Sequence, residues 1–315
     1  MNDENSTKGN KVSVFFIEFI RISDVIKWIM IAFLGFILGI TTPTITTYLV
    51  PFLIFFVSSF CIMSFTFAIN NFYDTETDRE NPRRMHTNAI ASGKLSKKTG
   101  IGFNLLFVIV ALLSSLFLKI EVFLVCILLL LWMWVYSAPP LRIKGRPGLD
   151  IFWHFGGFVI LILWGSLCAG SLTTISWLLA ISLGIDSCIA QVWNHFNDYA
   201  FDKESGTKTF AVMVGLENAK KTIKALLGIH FVFLISLILF YSLNYLVTII
   251  ILISGAIIGF ILLQPQKHLF PSKRSIESYI AVIISGSVYA SCIIYHLLSV
   301  VGIPSLSLFH SIGIP

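Results

Sequence analysis

The residues with the most evident chemistry are Asn70, Asp74 and Asp78, in the stretch Asn70–Asn71–Phe72–Tyr73–Asp74–Thr75–Glu76–Thr77–Asp78, where a long apolar run first meets charge. On a helix, steps of four residues drift slowly around the axis, so these three side chains share a face and offer hard oxygen donors only. A later apolar run ends the same way, with Asn194, Asp198 and Asp202 at identical spacing. Four carboxylates and two carboxamides facing one another across a bundle would repel unless cations lay between them. Oxygen donors without Cys or His suit Mg²⁺, which binds through a few carboxylates plus substrate phosphates. Acidic residues at a membrane interface can simply solvate helix ends. Two such runs, equally spaced on equivalent helices, favour function instead, because ionisable groups at membrane depth are costly.

The elements that must position these residues are membrane helices. Of 315 residues, 56% are hydrophobic and 12% charged, with a mean hydropathy of +0.87, beyond the balance of a soluble domain. Apolar segments near the ~20 residues needed to cross a bilayer run at 24–41, 46–69, 101–118, 121–138, 150–170, 173–195, 222–241, 244–263 and 277–300. The expected fold is all-α: a polytopic membrane protein with nine transmembrane helices in a bundle around a central cavity. Residues 1–20 are expected as a mobile cytoplasmic tail, 21–300 as the helical domain and 301–315 as a short extracytoplasmic tail. The polar N-terminus lacks the features of a signal peptide. Cys61, Cys126, Cys168, Cys188 and Cys292 lie within apolar runs and read as small core residues.

Lys and Arg in short loops mark the cytoplasmic side. Here 21 of the 22 fall before the first segment, near its start, or in the loops after segments two, four, six and eight, and only Lys119 lies opposite. This alternation places the N-terminus and both acidic motifs inside and the C-terminus outside. It also accounts for the formal net charge of +6 without nucleic acid as a partner. The two motifs, 124 residues apart, close the second and sixth segments, a spacing that suggests duplication of a four-helix unit.

Positive-inside topology alone demands cations in these loops, so their composition carries the information. The stretch Tyr136–Ser137–Ala138–Pro139–Pro140–Leu141–Arg142–Ile143–Lys144–Gly145–Arg146–Pro147 is aromatic, stiffened by prolines, then strongly basic. Cations fixed beside metal-binding carboxylates make sense if a polyanion bridges both, and a diphosphate is the obvious candidate.

With these residues in view, the chain resembles the UbiA superfamily of intramembrane prenyltransferases. Asn70-x₃-Asp74-x₃-Asp78 is similar to the family's first signature, and Asn194-x₃-Asp198-x₃-Asp202 with Lys203, Gly206 and Thr209 to its second. The Tyr-Ser-x-Pro-Pro-x-Arg-x-Lys stretch at 136–144 resembles the loop between its helices four and five. The resemblance implies two Mg²⁺ held by Asp74, Asp78, Asp198 and Asp202 with Asn70 and Asn194, and a diphosphate bound by Tyr136, Arg142, Lys144 and Lys203. The family often has Asp where this chain has Asn71 and Asn194, and each swap removes a charge that would support a metal. The segment after Asp78 also departs from the usual pattern, so the diphosphate-binding arginine there would be Arg83 or Arg84. Asn81–Pro82–Arg83 and Gly145–Arg146–Pro147–Gly148–Leu149–Asp150 look more like the lycopene-elongase branch.

The implied reaction is transfer of a prenyl group from an allylic diphosphate to a lipophilic acceptor within the lipid bilayer. Metals and cations would neutralise the leaving diphosphate. Two other readings stand beside it: a UbiA-type terpene cyclase, and a membrane carrier, against which the placement of both motifs at one membrane face argues. Asp186, deeper in the same segment as Asp198, is a candidate base or cation stabiliser, or a structural acid satisfied by partners. Gln191 is a polar group one turn from the second motif. His154 and His195 read as interfacial or hydrogen-bonded. Trp132, Trp134, Trp153, Trp164, Tyr136 and Phe72 can line an aromatic chamber that stabilises cations, or pack against lipid and helices.

Overall fold

A computed structural model describes residues 11–241, 253 and 276–302, which are helical with no strand among them. In chain order the helices are α1 (Ile22–Leu38), α2 (Leu49–Tyr73), α3 (Thr75–Glu80), α4 (Pro82–Met85), α5 (Lys97–Ser115) and α6 (Ile120–Ser137). They continue with α7 (Leu149–Ala169), α8 (Thr174–Asn197), α9 (Tyr199–Glu204), α10 (Phe210–Val214), α11 (Leu216–Tyr241) and α12 (Ile276–Val300). The all-α reading holds. Six helical stretches are long and apolar enough to cross a membrane, where nine segments were expected. At 17 residues α1 is shorter, as is the apolar stretch Ile284–Val300, and the segment 244–263 lies outside the described residues.

Local signals place the helix ends. Ser96 Oγ accepts the Thr99 amide at 3.1 Å, and Thr173 Oγ1 accepts that of Ser176 at 3.2 Å, capping α5 and α8. Gly170, at φ +116°, stops α7 in a left-handed conformation that a side chain would strain. Thr75 Oγ1 bonds back to the Asn71 and Phe72 carbonyls at 3.0 and 2.8 Å, a pattern that bends helices.

Lipid supplies no hydrophobic drive between spanning helices, so close packing must hold them. The crossing of α1 with α7 uses glycine for this. A Cβ on Gly35 would stand 2.0 Å from the Ile162 carbonyl oxygen, and one on Gly165 would stand 1.9 Å from that of Ala32. The two backbones are therefore in contact. On the outside, Leu105, Leu113, Phe117, Leu131 and Phe152 are all more than half exposed, an apolar girdle suited to hydrocarbon rather than water.

Of the tail expected at 1–20, residues 1–10 lie outside the described residues. The next stretch packs on the bundle: Val14–Phe19 form a π-helical turn, Phe19 and Ile20 are fully buried, and the Phe15 ring lies 4.7 Å from Phe103. Burial of Val14, Phe19 and Ile20 drives this packing, while Phe16 and Ile17 stay exposed.

Candidate active site

Each acidic motif crosses a helix break at its central aspartate. Asp74 separates α2 from α3 at φ −91°, ψ 0°, and Asp198 separates α8 from α9 at φ −89°, ψ 1°. The uninterrupted helix that the spacing suggests is therefore kinked, and kinked alike in both motifs. The i to i−4 hydrogen bonds nevertheless carry through: Asp74 N to Asn70 O at 3.0 Å, Asp78 N to Asp74 O at 2.8 Å, Asp198 N to Asn194 O at 3.0 Å, and Asp202 N to Asp198 O at 2.9 Å. Successive motif residues thus stay one turn apart.

The first motif is assembled in detail. Asp74 and Asp78 are buried, and the 138–148 loop closes over Asp74. Lys144 Nζ bonds Asp74 Oδ1 and also Asn70 Oδ1 at 2.9 Å, while Arg142 Nη2 reaches Asp74 Oδ1 at 3.3 Å. Ser137 Oγ donates to Asn70 Oδ1 at 2.8 Å. Burial lowers the Lys144 pKa, a pull that the attraction of Asp74 only partly offsets. Arg142 takes φ 38°, an unusual value for a residue with a side chain, and such strain persists where surrounding structure enforces it. The Pro139–Pro140 bond is cis. Arg146 turns back to the Pro140 carbonyl at 2.8 Å, so this cation braces the loop instead of facing the carboxylates. Glu76 is exposed and faces Lys97 at 2.6 Å, which lowers its pKa.

Asn71 corrects one expectation. Its side chain is 4% exposed, and its amide donates to the Glu18 and Phe19 carbonyls at 2.8 and 2.9 Å. A carboxylate could not donate there, so the neutral Asn71 anchors the N-terminal segment instead of standing in for an acidic metal ligand. The sequence reading also missed Asn88. This residue, 1% exposed, donates to Asp78 Oδ2 and the Asn71 carbonyl, both at 2.9 Å, and accepts the Ile90 and Ala91 amides. Asn88 lies in the Asn88–Ala89–Ile90–Ala91–Ser92–Gly93 ending, where the chain departs from the usual pattern, and that was its one signal. Arg84 is exposed on α4, and the side chain of Arg83 lies outside the described residues.

The second motif is more open. Asp202 is buried, Asn194 and Asp198 are exposed, and Lys203 sits over the Tyr199 ring at 5.7 Å. Asp150, at the start of α7, receives His195 Nε2 at 3.1 Å and Gln191 Nε2 at 3.2 Å. His154 is bonded through Nδ1 to the Asp150 carbonyl at 2.7 Å. Tyr136 stacks on Trp153 at 4.1 Å and meets the His154 ring edge-on at 6.0 Å. Of the aromatic candidates, Trp132 and Trp153 exchange indole-to-carbonyl bonds at 3.1 and 2.7 Å. Trp164 is fully buried against Ser59, and Phe72 and Trp134 line an apolar groove of about 270 Å³ with Phe65 and Ile69. Three of the six named aromatics are thus spent on packing between helices. Asp186 meets His230 Nδ1 at 3.2 Å and Tyr289 Oη at 3.1 Å.

Among the described residues, no three His, Cys, Asp or Glu side chains stand close enough to form a metal cage by themselves. Mg²⁺ does not require one, since it commonly takes one or two carboxylates and completes its shell with water and substrate phosphates. The donor set is hard oxygen throughout. Around the second motif, Trp193 Nε1, His195 Nδ1 and Thr209 Oγ1 are buried with no hydrogen-bond partner, as a site awaiting a polar ligand would leave them. The residues present fit a metal-bound polyanion.

The chain is 26% identical over 163 residues to a lycopene elongase/hydratase of Corynebacterium glutamicum, a match covering 49% of this chain and 54% of the relative. It thus spans about half the length of the curated relatives it matches. Among solved structures, a UbiA homologue of Archaeoglobus fulgidus bound to GPP and Mg²⁺ superposes with a TM-score of 0.66 at 21% identity, covering 91% of this chain and 99% of that one. A digeranylgeranylglyceryl phosphate synthase gives 0.66 at 20% identity, again covering 91% and 99%. A UbiA homologue of Aeropyrum pernix K1 gives 0.63 at 18% identity, covering 87% and 98%. At these identities the superpositions establish the fold alone. The sequence model of the UbiA prenyltransferase family matches residues 28–307, nearly the whole chain, and the protein belongs to that family.

Proposed function

We propose that this protein transfers a prenyl group from an allylic prenyl diphosphate to a lipophilic acceptor inside the bilayer, releasing diphosphate in a Mg²⁺-dependent reaction. The observation that carries the reading is the meeting of Asn70, Asp74, Arg142 and Lys144, where metal-type oxygens and two cations converge on the buried Asp74. Asp74, Asp78, Asp198 and Asp202, with Asn70 and Asn194, would hold the metal. Bound Mg²⁺ supplies Lewis-acid neutralisation of the leaving diphosphate. Arg142 and Lys144 add fixed positive charge aimed at the same oxygens, with Tyr136, Lys203 and Arg83 or Arg84 at the margins of the site. The surrounding apolar helices exclude water from the allylic cation. Asp186 is the proposed base for the proton that the acceptor gives up. The GPP and Mg²⁺ bound to the A. fulgidus homologue, and the likeness to an enzyme that acts on lycopene, support this reading.

The cation asymmetry further supports a cytoplasmic N-terminus and cytoplasmic motif loops, with the C-terminus outside. The test of function is diphosphate release by purified protein in detergent with geranyl or dimethylallyl diphosphate. Release should require Mg²⁺ and a lipophilic acceptor, and Asp74→Ala or Asp198→Ala should abolish it while leaving the protein folded. Release of a cyclic product without acceptor would assign a cyclase instead. Absence of release under every condition would leave the carrier reading.

A further inference from the structure

Between the loop over the first motif and the helix of the second stands a buried carboxylate with no part in the chemistry proposed above. Asp150, 4% exposed, follows the 138–148 loop at the start of α7. Its two oxygens meet three donors. Oδ1 accepts the Gly148 amide at 3.1 Å, and Oδ2 accepts Gln191 Nε2 at 3.2 Å and His195 Nε2 at 3.1 Å. The Asp150 amide bonds back to the Arg146 carbonyl at 3.3 Å, and Gly148 takes φ +86°, where a side chain would be strained. The acid therefore grips the end of the loop that carries Arg142 and Lys144 onto Asp74. With its other oxygen it grips α8 at His195, inside the second motif, and at Gln191, one turn earlier.

The pattern of hydrogens gives these bonds their direction. Gln191 Nε2 can only donate, and it lies 3.1 Å from His195 Nε2 as well as 3.2 Å from Asp150. A bare His195 Nε2 would turn its lone pair on the carboxylate, so the ring proton is assigned to Nε2, pointing at Oδ2. The helix dipole favours an acid in the first turn of α7, and the Gly148 bond is a local turn. Neither accounts for two donors brought over from α8. Lipid gives spanning helices no hydrophobic drive toward one another, and interhelical hydrogen bonds are among the contacts that fix them. A metal-bound diphosphate must be met by both motifs at once, and a misplacement of about 1 Å can cost about 100-fold in rate.

We infer that Asp150 is a positioning residue that holds the second motif at a fixed distance from the cationic loop over the first, with His195 and Gln191 as its contacts on α8. This rests on the prenyl-transfer reading, in which loop and motif are the parts that a diphosphate would bridge. Because each oxygen serves a different segment, an amide cannot replace the acid. In Asp150→Asn one of the two atoms becomes an NH₂ that only donates, and either the Gly148 bond or the α8 bonds are lost.

The test reads distance and binding instead of turnover. The chain's five cysteines are buried, so spin labels can be attached selectively through Leu141→Cys and Phe201→Cys, at positions 45% and 63% exposed. Double electron–electron resonance on the full-length protein in detergent should give one narrow distance in this parent pair. Adding Asp150→Asn should broaden it. The same change should raise the Mg²⁺ concentration for half-maximal thermal stabilisation in the presence of inorganic diphosphate about tenfold, as expected for one lost charge-assisted hydrogen bond. His195→Gln, which keeps an N–H within reach of the carboxylate, should retain the narrow distance and the parent Mg²⁺ requirement, whereas His195→Leu should lose both. An unchanged distance distribution or an unchanged Mg²⁺ requirement in Asp150→Asn would overturn the inference, as would equal losses in His195→Gln and His195→Leu. If Asp150→Asn does not fold, the two His195 variants carry the same decision. If the parent protein gains no stability from Mg²⁺ and diphosphate, the prenyl-transfer reading falls, and the distances alone decide whether Asp150 ties the loop to α8.

Discussion

Replacing Asn71 by Asp restores a carboxylate at a position where the family often carries one, and the structure expects harm from it. Asn71 gives two amide hydrogen bonds, 2.8 and 2.9 Å, to the Glu18 and Phe19 carbonyls in a site 4% exposed. In Asn71→Asp an ionised carboxylate would face those two carbonyl oxygens. Two hydrogen bonds are lost at about 1 kcal/mol each, and an unpaired buried charge raises the total to about 3–5 kcal/mol. Asn71→Ala, which leaves the carbonyls unmet without adding charge, should cost about 1–3 kcal/mol. Thermal unfolding in detergent should therefore rank wild type above Asn71→Ala and Asn71→Asp lowest, with the Mg²⁺ requirement for diphosphate release unchanged in the folded fraction. An Asn71→Asp protein as stable as wild type and active at lower Mg²⁺ would refute the reasoning, because residue 71 would then serve the metal.

Asn88→Ala removes the donor from Asp78 Oδ2 and the acceptor of two buried amides, so stability should fall by about 2–4 kcal/mol and the Mg²⁺ needed for half-maximal release should rise; an unchanged Mg²⁺ titration would show that Asp78 needs no support. Arg142→Ala removes one charge-assisted contact, worth about 1.5 kcal/mol, and should raise KM for the diphosphate about tenfold; an unchanged value would place the 138–148 loop outside the site. Gly165→Ala drives a methyl into the Ala32 carbonyl and should destabilise the α1–α7 crossing by about 3 kcal/mol or more, read as a lower melting temperature; a neutral effect would mean that the two backbones separate easily.

Both acidic motifs were legible from residue type and a four-residue step, because helical periodicity is local and i to i−4 bonding persists across the kinks at Asp74 and Asp198. Lys144 and Arg142 were legible as partners of the carboxylates because two prolines and a run of cations must emerge beside α2. The fate of Arg146 was not, since one residue's turn of the loop decides whether a guanidinium faces Asp74 or Pro140.

By itself, then, the sequence determined the helical class, the apolar segments, the loop charge and the oxygen-rich motifs, because each is a matter of composition or of spacing within one segment. Tertiary structure decided which neighbours meet. Asn70 faces Lys144 while Asn71 turns to the N-terminal segment, Asn88 folds back onto Asp78, and Asp186 finds His230 and Tyr289 from helices over 40 and 100 residues away. Those pairings follow from where helices cross, and the crossings depend on contacts such as Gly35 on Ile162 that no single segment encodes.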